Sequence, residues 1–136
     1  MKRTLHFLSV VVGGLLGLVP FTAPAAAAET GTVRHVDPDG AARLLAADKV
    51  IVLDVRTPEE FKAGHIKGAR LMDFRDPDFA KKLAQLDRTK TYLVHCAVGG
   101  RSRASLETFR KLGFQSIVHL DGGFTAWQRA GKPVEK

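Results

Sequence analysis

The chain is poor in cysteine, with Cys96 its one thiol among 136 residues. A single cysteine excludes an internal disulfide and leaves no C-x-x-C pair for zinc or for dithiol redox chemistry. The five histidines are scattered along the sequence, so no metal-ligand spacing emerges, and neither a metal nor a cofactor is expected. Aromatic residues make up 7% of the chain and are not interleaved with basic ones. The net charge of +7 therefore points to a mildly basic surface that draws small anions towards a cleft, and nucleic acid is not an expected partner. No internal repeat is present, and no low-complexity tract follows residue 28.

Long hydrophobic runs are also missing. The longest, Phe7 through Val19, falls short of the roughly 20 residues a spanning helix needs, and Gly13, Gly14 and Gly17 interrupt it. Lys2 and Arg3 precede it, and the small-residue tract Ala23-Pro24-Ala25-Ala26-Ala27-Ala28 follows. This is the three-part pattern of a secretory signal peptide, with cleavage expected after Ala28. The leader holds neither a twin arginine nor a cysteine able to accept a lipid. The expected mature chain, 29–136, has the length of one domain, exported to the periplasm or beyond, with no stable membrane association after cleavage. In that oxidising space an odd thiol is a liability unless it is well buried or has work to do.

Strand and helix patterns alternate along the mature chain. A short strand is predicted around Val33–Val36, and Asp37-Pro38 then supplies a helix cap and a proline at the first helical position. Val50-Ile51-Val52-Leu53-Asp54-Val55 is a nearly unbroken β-branched run, as in a strand covered on both faces. Thr57-Pro58-Glu59-Glu60 opens a helix that Gly64 stops, and Ala69–Asp73 reads as a weaker strand. Asp76 to Leu86 is predicted helical, with Phe79, Leu83 and Leu86 on one face. Thr91–Cys96 is the central strand. Arg101 to Leu112 is a helix whose apolar face is read as Ala104, Leu106, Phe109 and Leu112, with Gly113 as its stop. Ser116–Leu120 is the last strand, and Asp121-Gly122-Gly123 turns the chain into a final helix carrying Trp127. Such alternation calls for a parallel sheet with helices on both faces and a site at the carboxyl ends of the strands. Asp54, Cys96 and Asp121 all stand at such ends.

Cys96 begins the loop Cys96-Ala97-Val98-Gly99-Gly100-Arg101 at a strand-to-helix turn. A free cysteine is commonly a small buried apolar residue. Here the glycines let backbone N–H groups converge on one point, and the helix adds its partly positive end to the same spot. That environment favours a thiolate and holds an anion, which makes Cys96 the candidate nucleophile. Six residues wrap one sulfur atom, or a terminal sulfur attached to it, whereas a tetrahedral phosphate asks for a wider cradle. A protein tyrosine phosphatase loop requires arginine six places after the cysteine, and that position is Ser102.

The other candidates read as structural. Asp54 and Arg56 suggest a buried strand-end ion pair. His65 sits in a turn and is expected to satisfy local backbone groups. His95 points to the face opposite Cys96 and fills space. Phe124 and Trp127 pack helix against sheet, while Arg103 and Lys111 are solvated.

Three stretches in order resemble the rhodanese family of sulfurtransferases. They are Asp54-Val55-Arg56 with Glu60-Phe61 and Gly64-His65-Ile66-Lys67-Gly68-Ala69, then Cys96 to Arg101, then Asp121-Gly122-Gly123-Phe124-x-x-Trp127 with Gly131 and Pro133 behind. Lys67 stands where the family often has proline, which affects a turn more than the chemistry. The likeness covers essentially the whole of 29–136 and implies a three-layer α/β fold with a five-stranded parallel sheet and helices on both faces. It implies thiosulfate sulfurtransferase activity, in which Cys96 takes the outer sulfur of a small anionic donor as a persulfide. Cyanide, or a small-molecule or protein thiol, then removes it. Ala97, Val98, Gly99, Gly100 and Arg101 would bind the substrate. Two alternatives remain open, a non-catalytic sulfur carrier using the same loop, and a phosphatase or arsenate reductase on the same fold.

Overall fold

The computed structural model describes residues 31–136, so the expected leader 1–28 and the expected cleavage point lie outside the described residues. Seven strands and five helices follow one another among them. β1 (Thr32–Val36) leads into α1 (Pro38–Ala46), where the Asp37 carboxylate caps the helix by accepting from the Gly40 amide and Pro38 occupies the first turn. β2 (Ile51–Asp54) leads into α2 (Pro58–Ala63), whose first turn is closed by a reciprocal capping box between Thr57 and Glu60. Then come β3 (His65–Ile66), β4 (Arg70–Leu71), α3 (Phe79–Leu83), β5 (Thr91–His95), α4 (Gly100–Lys111), β6 (Ser116–Leu120), α5 (Gly123–Arg129) and β7 (Val134–Glu135).

Five strands form one sheet in the order β1-β6-β5-β2-β4, with every pairing parallel. The anticipated α/β architecture is therefore present. The two-residue period of β5 sorts its side chains between two cores. Tyr92, Val94 and the following Cys96 join Leu53, Phe79, Leu83, Phe109 and Phe114 beneath α3 and α4. Leu93 joins Ala41, Val52, Ile66, Val118, Phe124 and Trp127 beneath α1 and α5. Among the described residues, no helix is long and apolar enough to cross a membrane.

Three details differ from the sequence expectation. The helix expected over 76–86 is regular only over Phe79–Leu83, because the Asp73 and Asp76 carboxylates bond the amides two residues ahead and hold 73–78 in turns. A second, two-stranded antiparallel sheet joins β3 to β7, with Ile66 opposite Val134, although neither run is long enough to register as a pattern. The buried face of α4 is Ser102, Ser105 and Phe109, and Ala104 is exposed. Two small hydroxyl side chains let this helix settle close to β5 and β6, which brings Ser102 to the thiol.

Candidate active site

Cys96 lies immediately beyond the carboxyl end of β5, and the loop behind it climbs into α4. Gly99 precedes the helix in the left-handed region (φ 113°), a conformation that glycine takes without the side-chain penalty. In that pose its amide donates to Cys96 Sγ at 3.1 Å. The Ser102 hydroxyl, one helical turn further on, stands 3.4 Å from the same sulfur. Cys96 is buried, with only 1% of its surface exposed. Burial pushes the thiol up, but hydrogen bonds from the Ser102 side chain and from the Ser102, Gly99 and Val98 amides outweigh it and hold the group below its ordinary range.

The loop's carbonyls turn the other way. Cys96 O accepts from the Phe124 amide at 2.8 Å, and Ala97 O accepts from the Thr125 amide at 2.9 Å. The first turn of α5 thus takes up the acceptors and leaves the donors facing the sulfur. Cys96 O also accepts from His95 Nδ1 at 3.1 Å. That ring points away from Cys96, towards Phe124, as the strand alternation requires. Burial pushes His95 down, against the pull of Asp54. Its Nε2 has no hydrogen-bond partner among the described residues, and the 3.7 Å to Asp54 Oδ2 is too long to supply one.

Asp54 and Arg56 form the expected structural pair. Arg56 Nη2 donates to Asp54 Oδ2 at 2.7 Å and Nε to Oδ1 at 2.9 Å, both residues buried. Nη2 also reaches Gly64 O at 2.7 Å, and the guanidinium lies 4.0 Å from the Phe124 ring centre. This pair ties the end of β2 to the turn at Gly64 and to α5, behind the loop. His65 stacks on Phe61, and its Nδ1 bonds Phe61 O at 3.0 Å, which is local backbone service. Trp127 is buried, with Nε1 donating to Pro133 O. Arg103 is exposed, and Lys111 is exposed beside Glu107.

Arg101 is held more firmly than its sequence position indicates. Nη1 and Nη2 donate to the two Glu60 oxygens at 2.7 and 2.8 Å, a fork pairing between α4 and α2. The hydrogen bond from Arg101, opposed by burial and helped by Thr57, lowers Glu60 to about 2. Val98, at the tip of the loop, is 69% exposed.

Sequence reasoning missed Ser102 and His119. The His119 side chain is fully buried, its Nε2 is 2.8 Å from Ser102 Oγ, and its Nδ1 is 2.9 Å from Asp121 Oδ1. His35 Nδ1 lies 2.8 Å from the same carboxylate oxygen. Two of the histidines that look scattered in sequence, His35 and His119, meet Asp121 here, with one ring nitrogen of each and a carboxylate oxygen within 4.8 Å of one another. One signal was available. His119 sits between Val118 and Leu120 on an apolar strand, on the same face as Ile117 and so beneath α4.

Residues 37–130 match the family model for the rhodanese-like domain. Thiosulfate sulfurtransferase GlpE of Pseudomonas putida is 33% identical over 102 residues, covering 75% of this chain and 90% of that protein. The probable adenylyltransferase/sulfurtransferase MoeZ of Mycobacterium tuberculosis is 36% identical over 85 residues, 62% of this chain, and the chain spans 22% of that protein's length. The crystal structure of a rhodanese-related protein from Thermoplasma volcanium superposes with a TM-score of 0.68 at 32% identity, covering 75% of this chain and 97% of that one. With its parallel sheet, its cysteine loop and the α5 clamp behind that loop, the chain belongs to the rhodanese-like domain family.

Proposed function

We propose that the protein is a sulfurtransferase that carries a sulfane sulfur on Cys96. The observation that carries this reading is the Cys96 loop itself. An amide and a hydroxyl point at Sγ while the Cys96 and Ala97 carbonyls are bonded outwards to α5. This arrangement stabilises a thiolate and, after transfer, a persulfide anion. With thiosulfate as donor, the thiolate attacks the outer sulfur, a new S–S bond forms, and the old one breaks with its electron pair leaving on sulfite. Cyanide or a thiolate acceptor then attacks the outer sulfur, and the Cys96 thiolate is released unchanged.

The relatives named for sulfurtransferase activity support this reading. A phosphatase reading has less support, because Ser102 occupies the arginine position and is fully buried against Cys96 and His119. Arg101, fixed by Glu60, faces the donor's anionic part as one half of an ion pair, so the backbone donors of Ala97 to Arg101 carry most of the anion binding. The leader pattern of residues 1–28 supports action outside the cytoplasm. Intact-mass analysis tests the reaction. Thiosulfate adds one sulfur atom to the protein, cyanide removes it as thiocyanate, and Cys96→Ser takes up none. A Cys96→Ser protein that still formed thiocyanate would overturn the assignment.

A further inference from the structure

We propose that His119 is the base that ionises Cys96, with Ser102 carrying the proton between them and Asp121 fixing the ring in the tautomer this requires. The four groups form one unbroken line. Cys96 Sγ to Ser102 Oγ is 3.4 Å, Ser102 Oγ to His119 Nε2 is 2.8 Å, and His119 Nδ1 to Asp121 Oδ1 is 2.9 Å. Ser102 and His119 are fully buried, whereas the Asp121 side chain is 51% exposed. The line therefore runs from a buried sulfur to a carboxylate in contact with solvent.

The hydrogen count sets the direction. A hydrogen bond from His35, opposed by burial and joined by one from His119, keeps Asp121 below the usual carboxylate range, so at neutral pH it only accepts. His119 Nδ1 must then bear hydrogen, which leaves Nε2 of the neutral ring as a lone pair facing the Ser102 hydroxyl. Ser102 donates to that lone pair, and its oxygen accepts the Cys96 S–H. On ionisation the S–H bond breaks as a new O–H bond forms on Ser102, while the original Ser102 hydrogen passes to Nε2. The product is a thiolate facing a Ser102 O–H, and an imidazolium donating to Ser102 and to Asp121. One proton has moved, net charge is unchanged, and every polar atom of the line keeps a partner in both states.

The charged and titratable groups around this line come from several elements. His35 on β1 packs its ring 5.0 Å from that of His119, His95 lies on β5, Asp121 follows β6, and Arg101 of α4 bears its charge towards Cys96 while paired with Glu60. The competing arrangement is a purely structural serine, since Ser102 Oγ also lies 3.2 Å from Gly99 O and its single hydrogen can go there instead. His119 touches no substrate in this scheme and is a positioning residue.

The inference shares Cys96 with the proposed sulfur transfer but is read on alkylation, so either can fail without the other. The rate of Cys96 alkylation by iodoacetamide is followed against pH in the full chain. His119→Gln keeps a polar side chain that cannot take up a proton, and it raises the midpoint of the alkylation profile by at least about one pH unit, so alkylation at neutral pH slows. Ser102→Ala moves the profile the same way, and Asp121→Asn does so to a smaller extent. A His119→Gln thiol that titrates like the wild type overturns the assignment, and a Ser102→Ala thiol that does so removes Ser102 as the carrier. A second measurement needs no variant. In the wild-type protein at neutral pH, imidazole nitrogen NMR reports His119 as an imidazolium while Cys96 is free, and as a neutral ring protonated on Nδ1 once Cys96 is alkylated. An unchanged His119 charge state on alkylation refutes the relay even if every variant fails to fold.

Discussion

Gly123 presses its backbone directly onto the carbonyl of Cys96. A β-carbon at this position would lie 2.6 Å from Cys96 O and 2.7 Å from Ala97 O, and the residue adopts φ 60° in the left-handed region. The contact lets α5 reach the two carbonyls with its Phe124 and Thr125 amides. Gly123→Ala forces these backbones apart, since neither neighbour is a side chain that can swing aside. The left-handed penalty alone is about 1–2 kcal/mol, and the displaced carbonyls add to it. Chemical denaturation is expected to show a loss of about 2–4 kcal/mol. Under the proposed sulfur transfer, loading from thiosulfate is expected to fall in the fraction that remains folded, because the Cys96 carbonyl is no longer held away from the sulfur.

Asp54 and Arg56 are buried together, and removing one partner strands the other. Asp54→Asn leaves a buried guanidinium without its counter-ion and is expected to cost about 3–5 kcal/mol of stability. The double variant Asp54→Leu with Arg56→Met removes both charges and recovers part of that loss, read as the denaturant midpoint of each protein. A double variant no more stable than Asp54→Asn would show that the pair's bond to Gly64 O matters more than its charge balance.

Glu60 links acid stability to the site. Its carboxyl is lowered from 4.5 to about 2, chiefly by the hydrogen bond from Arg101, so the ionised form is favoured by folding. For a depressed carboxylate the stabilisation is complete above the unfolded value and disappears as pH falls through the folded one. The α2–α4 tie is therefore expected to weaken between pH 4.5 and about 2, with Arg101 released from Glu60 as it does so. Glu60→Gln loses this portion of the pH dependence, measured as thermal midpoint against pH. The Gln side-chain oxygen can still accept from the Thr57 amide, as Glu60 Oε2 does, so the capping box is kept and the change reads the charge alone.

The alternation of strands and helices, the position of Cys96 at a strand end and the structural role of Asp54 with Arg56 are all legible in the sequence. Each is a local pattern, namely β-branched runs, proline after a capping residue, or glycine after an apolar strand. What stays hidden depends on tertiary packing. β7 is two residues long and exists because β3 lies beside it. On α4, Leu106, Phe109 and Leu112 pack against the core as their apolarity predicts, whereas Ser102 and Ser105 are buried for their size and their hydrogen bonds, which no apolar pattern marks. His119 is invisible as a functional residue because Ser102 reaches it from α4, 17 residues away, although its other partner, Asp121, is two residues on.

Gly99 and Gly100 are neighbours in the loop with opposite requirements. Gly99 holds φ 113°, and a β-carbon there would make only ordinary van der Waals contacts, with His119 Cε1 at 3.9 Å and Gly122 N at 4.0 Å. Its constraint is therefore conformational, and Gly99→Ala costs about 1–2 kcal/mol through the left-handed backbone. Relaxing that strain rotates the amide that donates to Cys96 Sγ, so the thiol's apparent pKa rises and alkylation at neutral pH slows. Gly100 opens α4 with no positive φ, and nothing lies within 4 Å of a β-carbon placed on it. Gly100→Ala restricts the unfolded chain without straining the folded one and is expected to stabilise by about 0.4–1 kcal/mol. Thermal midpoints should therefore rank Gly100→Ala above wild type and wild type above Gly99→Ala. The reverse order would mean that the left-handed turn at Gly99 does not set the loop.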